Sequence, residues 1–142
     1  MADQTPAVSP EEVTGFDPFS KLLGIEVVRV AEGQATVQMR LREDMANVHG
    51  TPHGGAVFTL ADTALAIASN SHGVAAVALD VTITFCRPAP IGSLLTATAV
   101  EDNLTRSTGL YTINITSDTG KLIATARGTV FRTGKSTAAP AP

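Results

Sequence analysis

Apolar residues recur at helical spacing between residues 54 and 70, a stretch with no proline and much Ala and Leu, so it is predicted as the one long helix. Val57, Leu60, Ala64 and Ile67 form one stripe along it, and Phe58, Ala61, Leu65 and Ala68 form another. A helix that is apolar on nearly every side is one enclosed by protein, which predicts a central position. Most of the rest reads as strand. Strands are predicted over 25–31 and 34–41, joined at Glu32-Gly33, with Ala35, Val37, Met39 and Leu41 alternating inward. Further strands are predicted over 77–87, 93–101, 109–117 and 121–132, separated by Pro-Ile-Gly, Asn-Leu-Thr-Arg and Asp-Thr-Gly turn chemistry. Asp17-Pro18 starts a short helix that Gly24 ends, with Phe19, Leu22 and Leu23 expected to face inward. One segregated helix and a run of antiparallel strands mean an α+β fold, a sheet curled around a buried helix. Segments 1–14 and 134–142 hold Pro, Ala and Ser with nothing to bury, so the domain is placed at 15–133 and both ends are expected to be disordered.

Asp62 breaks the apolar pattern of the helix. At 100° per residue, Thr59, Asp62, Thr63, Ala66 and Asn70 share one narrow face. An ionised carboxylate buried without partners is expensive. It is either satisfied by neighbouring hydroxyls or another chain, or it is catalytic, and the helical pattern leaves both open. His53-Gly54-Gly55 opens the same helix, where the first N–H groups have no intrahelical acceptor and glycine lets a ligand approach the backbone. Such donors stabilise the oxyanion of an attacked carbonyl, although the glycines could equally serve only to start the helix or to pack it closely. Asp62 lies about 12 Å along the axis from Gly54, too far for both to grip one carbonyl. Two such helices, antiparallel across a two-fold axis, would bring the Asp62 of one chain to the Gly54 of the other.

Composition removes other classes. At 142 residues the chain holds one domain, and 44% hydrophobic against 16% charged residues is a composition that folds. A formal charge of -3, few aromatics and no Trp argue against nucleic acid as a partner. The most apolar region is interrupted by Asp62, Ser69, Asn70 and Asp80, so no membrane span is expected. Cys86 is alone and cannot form an intrachain disulfide; with no leader at the first residues, a cytoplasmic location is expected and Cys86 is read as structural. His49 and His53 stand four apart, but Gly50 and Pro52 oppose a helix there, so no metal is expected. Ser69 and Ser71 lack a nucleophile elbow, and no phosphate-binding glycine loop is present.

Residues 47–64, Asn-Val-His-Gly-Thr-Pro-His-Gly-Gly-Ala-Val-Phe-Thr-Leu-Ala-Asp-Thr-Ala, closely resemble the signature of hotdog-fold acyl-CoA thioesterases, in particular the phenylacetic acid degradation (PaaI) family. Ala68-Ser69-Asn70-Ser71, Phe85-Cys86-Arg87-Pro88, Asn103-Leu104-Thr105-Arg106 and Gly128-Thr129-Val130-Phe131-Arg132 look like the same family. The resemblance implies a sheet wrapped around the central helix, a homodimer with a continuous sheet, and a dimer of dimers, hence a homotetramer. Carried over by position, it implies that Asp62 is the catalytic carboxylate, that the Gly54 amide polarises the thioester carbonyl, and that Asn47 and His53 shape or hydrogen-bond the site. Gly55, Thr63, Arg87 and Arg106 are the candidate substrate-binding residues, and the CoA phosphates call for a basic cluster among Arg87, Arg106, Lys121 and Arg127. The implied reaction is hydrolysis of an acyl-CoA, with an aryl-acetyl or other ring-containing acyl group, to free acid and CoA, without a cofactor beyond the CoA of the substrate. A non-catalytic acyl-CoA-binding or sensing protein of the same fold is the alternative. A dehydratase is disfavoured, since no histidine stands beside Asp62 on the helix.

Overall fold

In the computed structural model, which describes residues 17–137, six antiparallel strands wrap one long helix, the α+β arrangement predicted. The helices are α1 (Pro18–Leu22) and α2 (Gly54–Asn70); the strands are β1 (Glu26–Ala31), β2 (Gln34–Arg40), β3 (Val74–Phe85), β4 (Leu94–Leu104), β5 (Thr108–Ser117) and β6 (Leu122–Ser136). A 3₁₀ turn, Glu43–Met45, follows β2. Strand order across the sheet is β1-β2-β4-β5-β6-β3. The expected disorder of residues 1–14 and 138–142 lies outside the described residues.

Period-two alternation turns Val37, Met39, Leu95, Ala97, Ile113, Ile115, Ala124 and Ala126 onto α2, whose Leu60, Ala61, Ala64, Leu65, Ile67 and Ala68 are fully covered. Each fully buried Leu or Ile contributes roughly 1.5–3 kcal/mol. Close approach of helix to sheet depends on Gly128, where a Cβ would stand 2.6 Å from Leu65 Cδ2. α2 is not enclosed all round, as its composition predicted. The six strands of the sheet cover one side, while Gly55 and Ala66 are exposed and Thr59 and Asp62 are partly so. Small and polar residues on this face leave it open.

Three other expectations change. Phe19 and Leu22 do not face inward; they are 56% and 66% exposed, and Ser20 is the buried residue of α1. Hydrogen bonding sets that orientation, because the Ser20 hydroxyl reaches both Asp17 and Thr63 of α2. β3 begins at Val74, and β6 runs through the domain end expected at 133, since Val74 pairs with Ser136 and the Thr137 N–H donates to Gly73 O at 3.1 Å. β3 also forms one edge of the sheet. A bulge at Leu79 shifts its parity, so Ala76, Val81 and Ile83 pack on the core while Val77 and Leu79 point out, 53% and 63% exposed. Among the described residues no helix is long and apolar enough to cross a membrane.

Candidate active site

The loop before α2 is built around Asn47. Its Oδ1 accepts the N–H groups of His49 (2.9 Å) and Thr51 (3.2 Å), and its Nδ2 donates to Thr51 Oγ1 at 2.9 Å. The Asn47 N–H closes the loop onto Thr51 O at 2.7 Å. Asn47 therefore shapes the approach to the helix, as an Asx-type turn does. His49 sits exposed in this loop and His53 ends it as the N-cap of α2, so their spacing is not that of one helix face.

The cap decides which amide is available. His53 Nδ1 accepts the Gly55 N–H at 2.8 Å, so a neutral ring carries its proton on Nε2. Ala56 and Val57 donate to His53 O at 3.0 and 3.4 Å. The Gly54 N–H is left without an acceptor among the described residues. It is a free donor at the positive end of a seventeen-residue helix. The Gly55 amide, expected as a second contact to substrate, is occupied by the cap.

A cavity of about 460 Å³ opens at Gly54, walled by Val57, Phe85, Leu95 and Ile123, with Thr51, Cys86 and Arg87 at its polar side. The Phe85 ring lies over the helix start, and a Cβ on Gly54 would come within 3.2 Å of its Cζ. Cys86 is exposed on this cavity rather than buried. β3 ends at Phe85, and both the Cys86 and Arg87 N–H groups then converge on Ile123 O at 2.8 and 3.2 Å, which turns Cys86 out of strand alternation. A second cavity of about 330 Å³ shares Arg87, Pro88, Ala89 and Ile123 with the first and adds Lys121. The structure thus brings Arg87 and Lys121 together. It does not bring Arg106, which lies on the β4–β5 turn at the other end of the sheet, or Arg127, which stands 3.7 Å from Asp102.

Asp62 lies two turns into α2 and lines neither of these cavities. The hydroxyls that could satisfy it are engaged elsewhere: Thr59 donates to Gly55 O and Thr63 to Thr59 O, both at 2.8 Å. Its carboxylate has no hydrogen bond or ion pair among the described residues. Among the described residues the neighbouring hydroxyls therefore do not satisfy it. Burial first, and the charge of Asp17 second, hold Asp62 above the usual carboxylate range. Thr63 is 6% exposed and turned toward α1, away from the cavity.

Phe85, Val57, Leu95 and Ile123 form walls that sequence reasoning did not assign. They alternate like core residues, and only the stop imposed by Pro88 after Phe85 marks the end of the sheet where a cavity can open.

The thioesterase superfamily model matches residues 49–124. Acyl-coenzyme A thioesterase PaaI of Escherichia coli (strain K12) is 45% identical over 118 residues, 83% of this chain and 84% of that protein. The structure of the E. coli PaaI protein from the phenylacetic acid degradation operon matches with a TM-score of 0.84 and 43% identity, over 86% of this chain and 88% of that one. A hypothetical thioesterase protein of Streptococcus pneumoniae TIGR4, solved with coenzyme A, matches with a TM-score of 0.76 and 26% identity, over 79% and 88% of the two chains.

Proposed function

This chain belongs to the thioesterase superfamily, as a member of the hotdog-fold PaaI family, and on that premise we propose that it hydrolyses an acyl-CoA carrying a ring-containing acyl group such as phenylacetyl. One observation carries the reading: the Asp62 carboxylate and the Gly54 N–H are both without partners among the described residues and stand too far apart to serve one carbonyl in one chain. A homodimer resolves this. With the open faces of two α2 helices antiparallel, Asp62 of one protomer meets the cavity mouth at the partner's Gly54. The bare β3 edge, with Val77, Leu79 and Phe85 exposed, supports a sheet that continues across the two-fold axis. Phe19, Leu22 and Val48, the last 95% exposed, are further apolar groups on which a dimer of dimers would close.

In this arrangement the thioester carbonyl accepts the Gly54 N–H, and the charge that grows on its oxygen is stabilised at the helix start. Asp62 then acts in one of two ways. As nucleophile it bonds to the acyl carbon, the C–S bond breaks, and water hydrolyses the resulting acyl-aspartyl anhydride. As general base it takes a proton from water, whose oxygen bonds to the carbon, and the departing thiolate receives that proton. Both routes give free acid and CoA thiol. The apolar cavity of about 460 Å³ is large enough for an aromatic acyl group, and Arg87 with Lys121 lies on the side where the phosphates of CoA would emerge. No cofactor is needed, and the enzyme is read as cytoplasmic.

Thiol release from a panel of acyl-CoAs, compared between parent and Asp62→Asn, tests the reading. Rapid release by the parent, fastest with ring-containing acyl groups, is expected. Tight binding without release in both proteins would favour the acyl-CoA-sensing alternative.

A further inference from the structure

Asp17, at the start of α1, lies within electrostatic reach of Asp62 on α2, and the surroundings of the two carboxylates differ. Asp17 caps α1, accepting the Ser20 N–H at 3.3 Å and the Ser20 hydroxyl. That hydroxyl also touches Thr63 Oγ1 at 3.0 Å, and Thr63 directly follows Asp62 in α2. Ser20 and Thr63 have one hydroxyl proton each. With the Ser20 proton on the Asp17 carboxylate, Thr63 donates either to Ser20 or to Thr59 O, and in both cases Asp17 is held in place. α1 gives its one buried position to this serine while Phe19 and Leu22 stay exposed, so the polar strut outranks apolar packing in seating the helix.

We propose that Asp17 is a positioning residue for the hydrolysis, a fixed negative charge strutted to α2 through Ser20 and Thr63 that acts on Asp62 across the helix contact. This rests on the reading of Asp62 as the carboxylate that attacks the thioester or activates water. A carboxylate without hydrogen-bond donors takes a proton more readily than one that has them, and Asp62 has none among the described residues. Burial is the larger cause of its raised position and Asp17 is the second. Other charged or titratable groups stand on the elements around it: Lys21 on α1, Glu43 and Asp44 on the 3₁₀ turn, His53 at the start of α2, Glu26 and Arg29 on β1, and Asp80 on β3. Asp44 is paired with Arg42 at 3.0 Å, and of all these charges Asp17 is the one that lifts Asp62. A carboxylate kept more basic is the better proton acceptor and the better nucleophile toward a carbonyl carbon.

Asp17→Ser keeps a capping oxygen and removes the charge; Asp17→Asn does the same with nearly the same shape, so one folded variant of the two suffices. The carboxyl carbon of Asp62, assigned by its loss in Asp62→Asn, is titrated by NMR, and kcat/KM for an acyl-CoA is followed against pH. In the Asp17 variants the Asp62 midpoint is expected to fall, and the acid limb of kcat/KM to move with it to lower pH at unchanged KM. The plateau should lose no more than about tenfold, far less than removal of a general base costs. An unmoved Asp62 midpoint, or a moved midpoint with an unmoved acid limb, overturns the proposal. A parent that titrates as expected yet hydrolyses no acyl-CoA sinks the thioesterase reading and leaves the coupling of the two carboxylates standing.

Discussion

The two ends of α2 carry polar groups in opposite conditions. At its C-terminal end, Ser71 accepts the Gly33 N–H at 2.8 Å and donates to Ala68 O at 2.7 Å, and Asn70 bonds Ala76 through both N–H and C=O. His72 spans Glu32 (3.1 Å) and Glu101 (2.6 Å), and Glu101 also accepts the buried Tyr111 hydroxyl at 2.8 Å. Burial, and then the bond to Glu101, push the Tyr111 phenol upward. Gly33 allows the close approach, turning with φ +74 where a Cβ would meet Glu101 at 3.0 Å. Arg132 Nε and Thr137 Oγ1 are the exceptions, buried without an acceptor or donor. Toward the N-terminal end, by contrast, the Gly54 amide and the Asp62 carboxylate have no partner among the described residues and a cavity opens beside the first of them. A matched polar network holds a fold together; unmatched groups of opposite character, held apart on one rigid helix, are what the proposed substrate and second chain would satisfy.

The contrast breaks first at Asp62. Asp62→Asn keeps the shape and should lower kcat/KM for acyl-CoA by about 10²- to 10⁴-fold in a thiol-release assay. Gly54→Pro comes next. Proline fits the first helical position, and His53 already has the extended backbone (φ -64, ψ 133) that precedes a proline, so the change removes the donor with modest strain against Phe85. A loss of about 10²- to 10³-fold in kcat is expected. Mixing the two inactive proteins under subunit exchange should recover activity, because a mixed dimer keeps one intact pair; exchange without recovery would count against a shared site.

At the other end the same kind of change should touch stability alone. Tyr111→Phe leaves Glu101 short of a donor and should cost about 1–2 kcal/mol in denaturant unfolding, with kcat/KM unchanged. The smallest effect returns to Asp62 with the sign reversed. Its carboxyl is raised in the folded protein, so its contribution to stability is full below the unfolded value and is lost as pH rises through the folded one. Asp62→Asn should therefore melt a few degrees above the parent at neutral pH, and the gain should vanish below the ordinary carboxylate value of 3.8. A midpoint unchanged at neutral pH would mean that the carboxylate costs nothing where it sits.

Local chemistry determined much of this protein from sequence alone. Alternation in β2 and β-prone runs between turn signals placed the strands, the proline-free Ala- and Leu-rich stretch placed α2 at its observed bounds, and the His53-Gly54-Gly55 start and the Asp62 carboxylate stood out as the two candidate halves of a site. These are properties of neighbours along the chain, where sterics and hydrogen-bond counts act over a few residues. The tertiary structure decided what neighbours cannot. It turned α1 on a serine instead of a phenylalanine, gave the Gly55 amide to His53 and left the Gly54 amide free, swung Cys86 onto a cavity, and set Arg87 beside Lys121 but far from Arg106. Each of these depends on groups distant in sequence competing for the same donors and the same space, and that competition is resolved only once the sheet has closed on the helix.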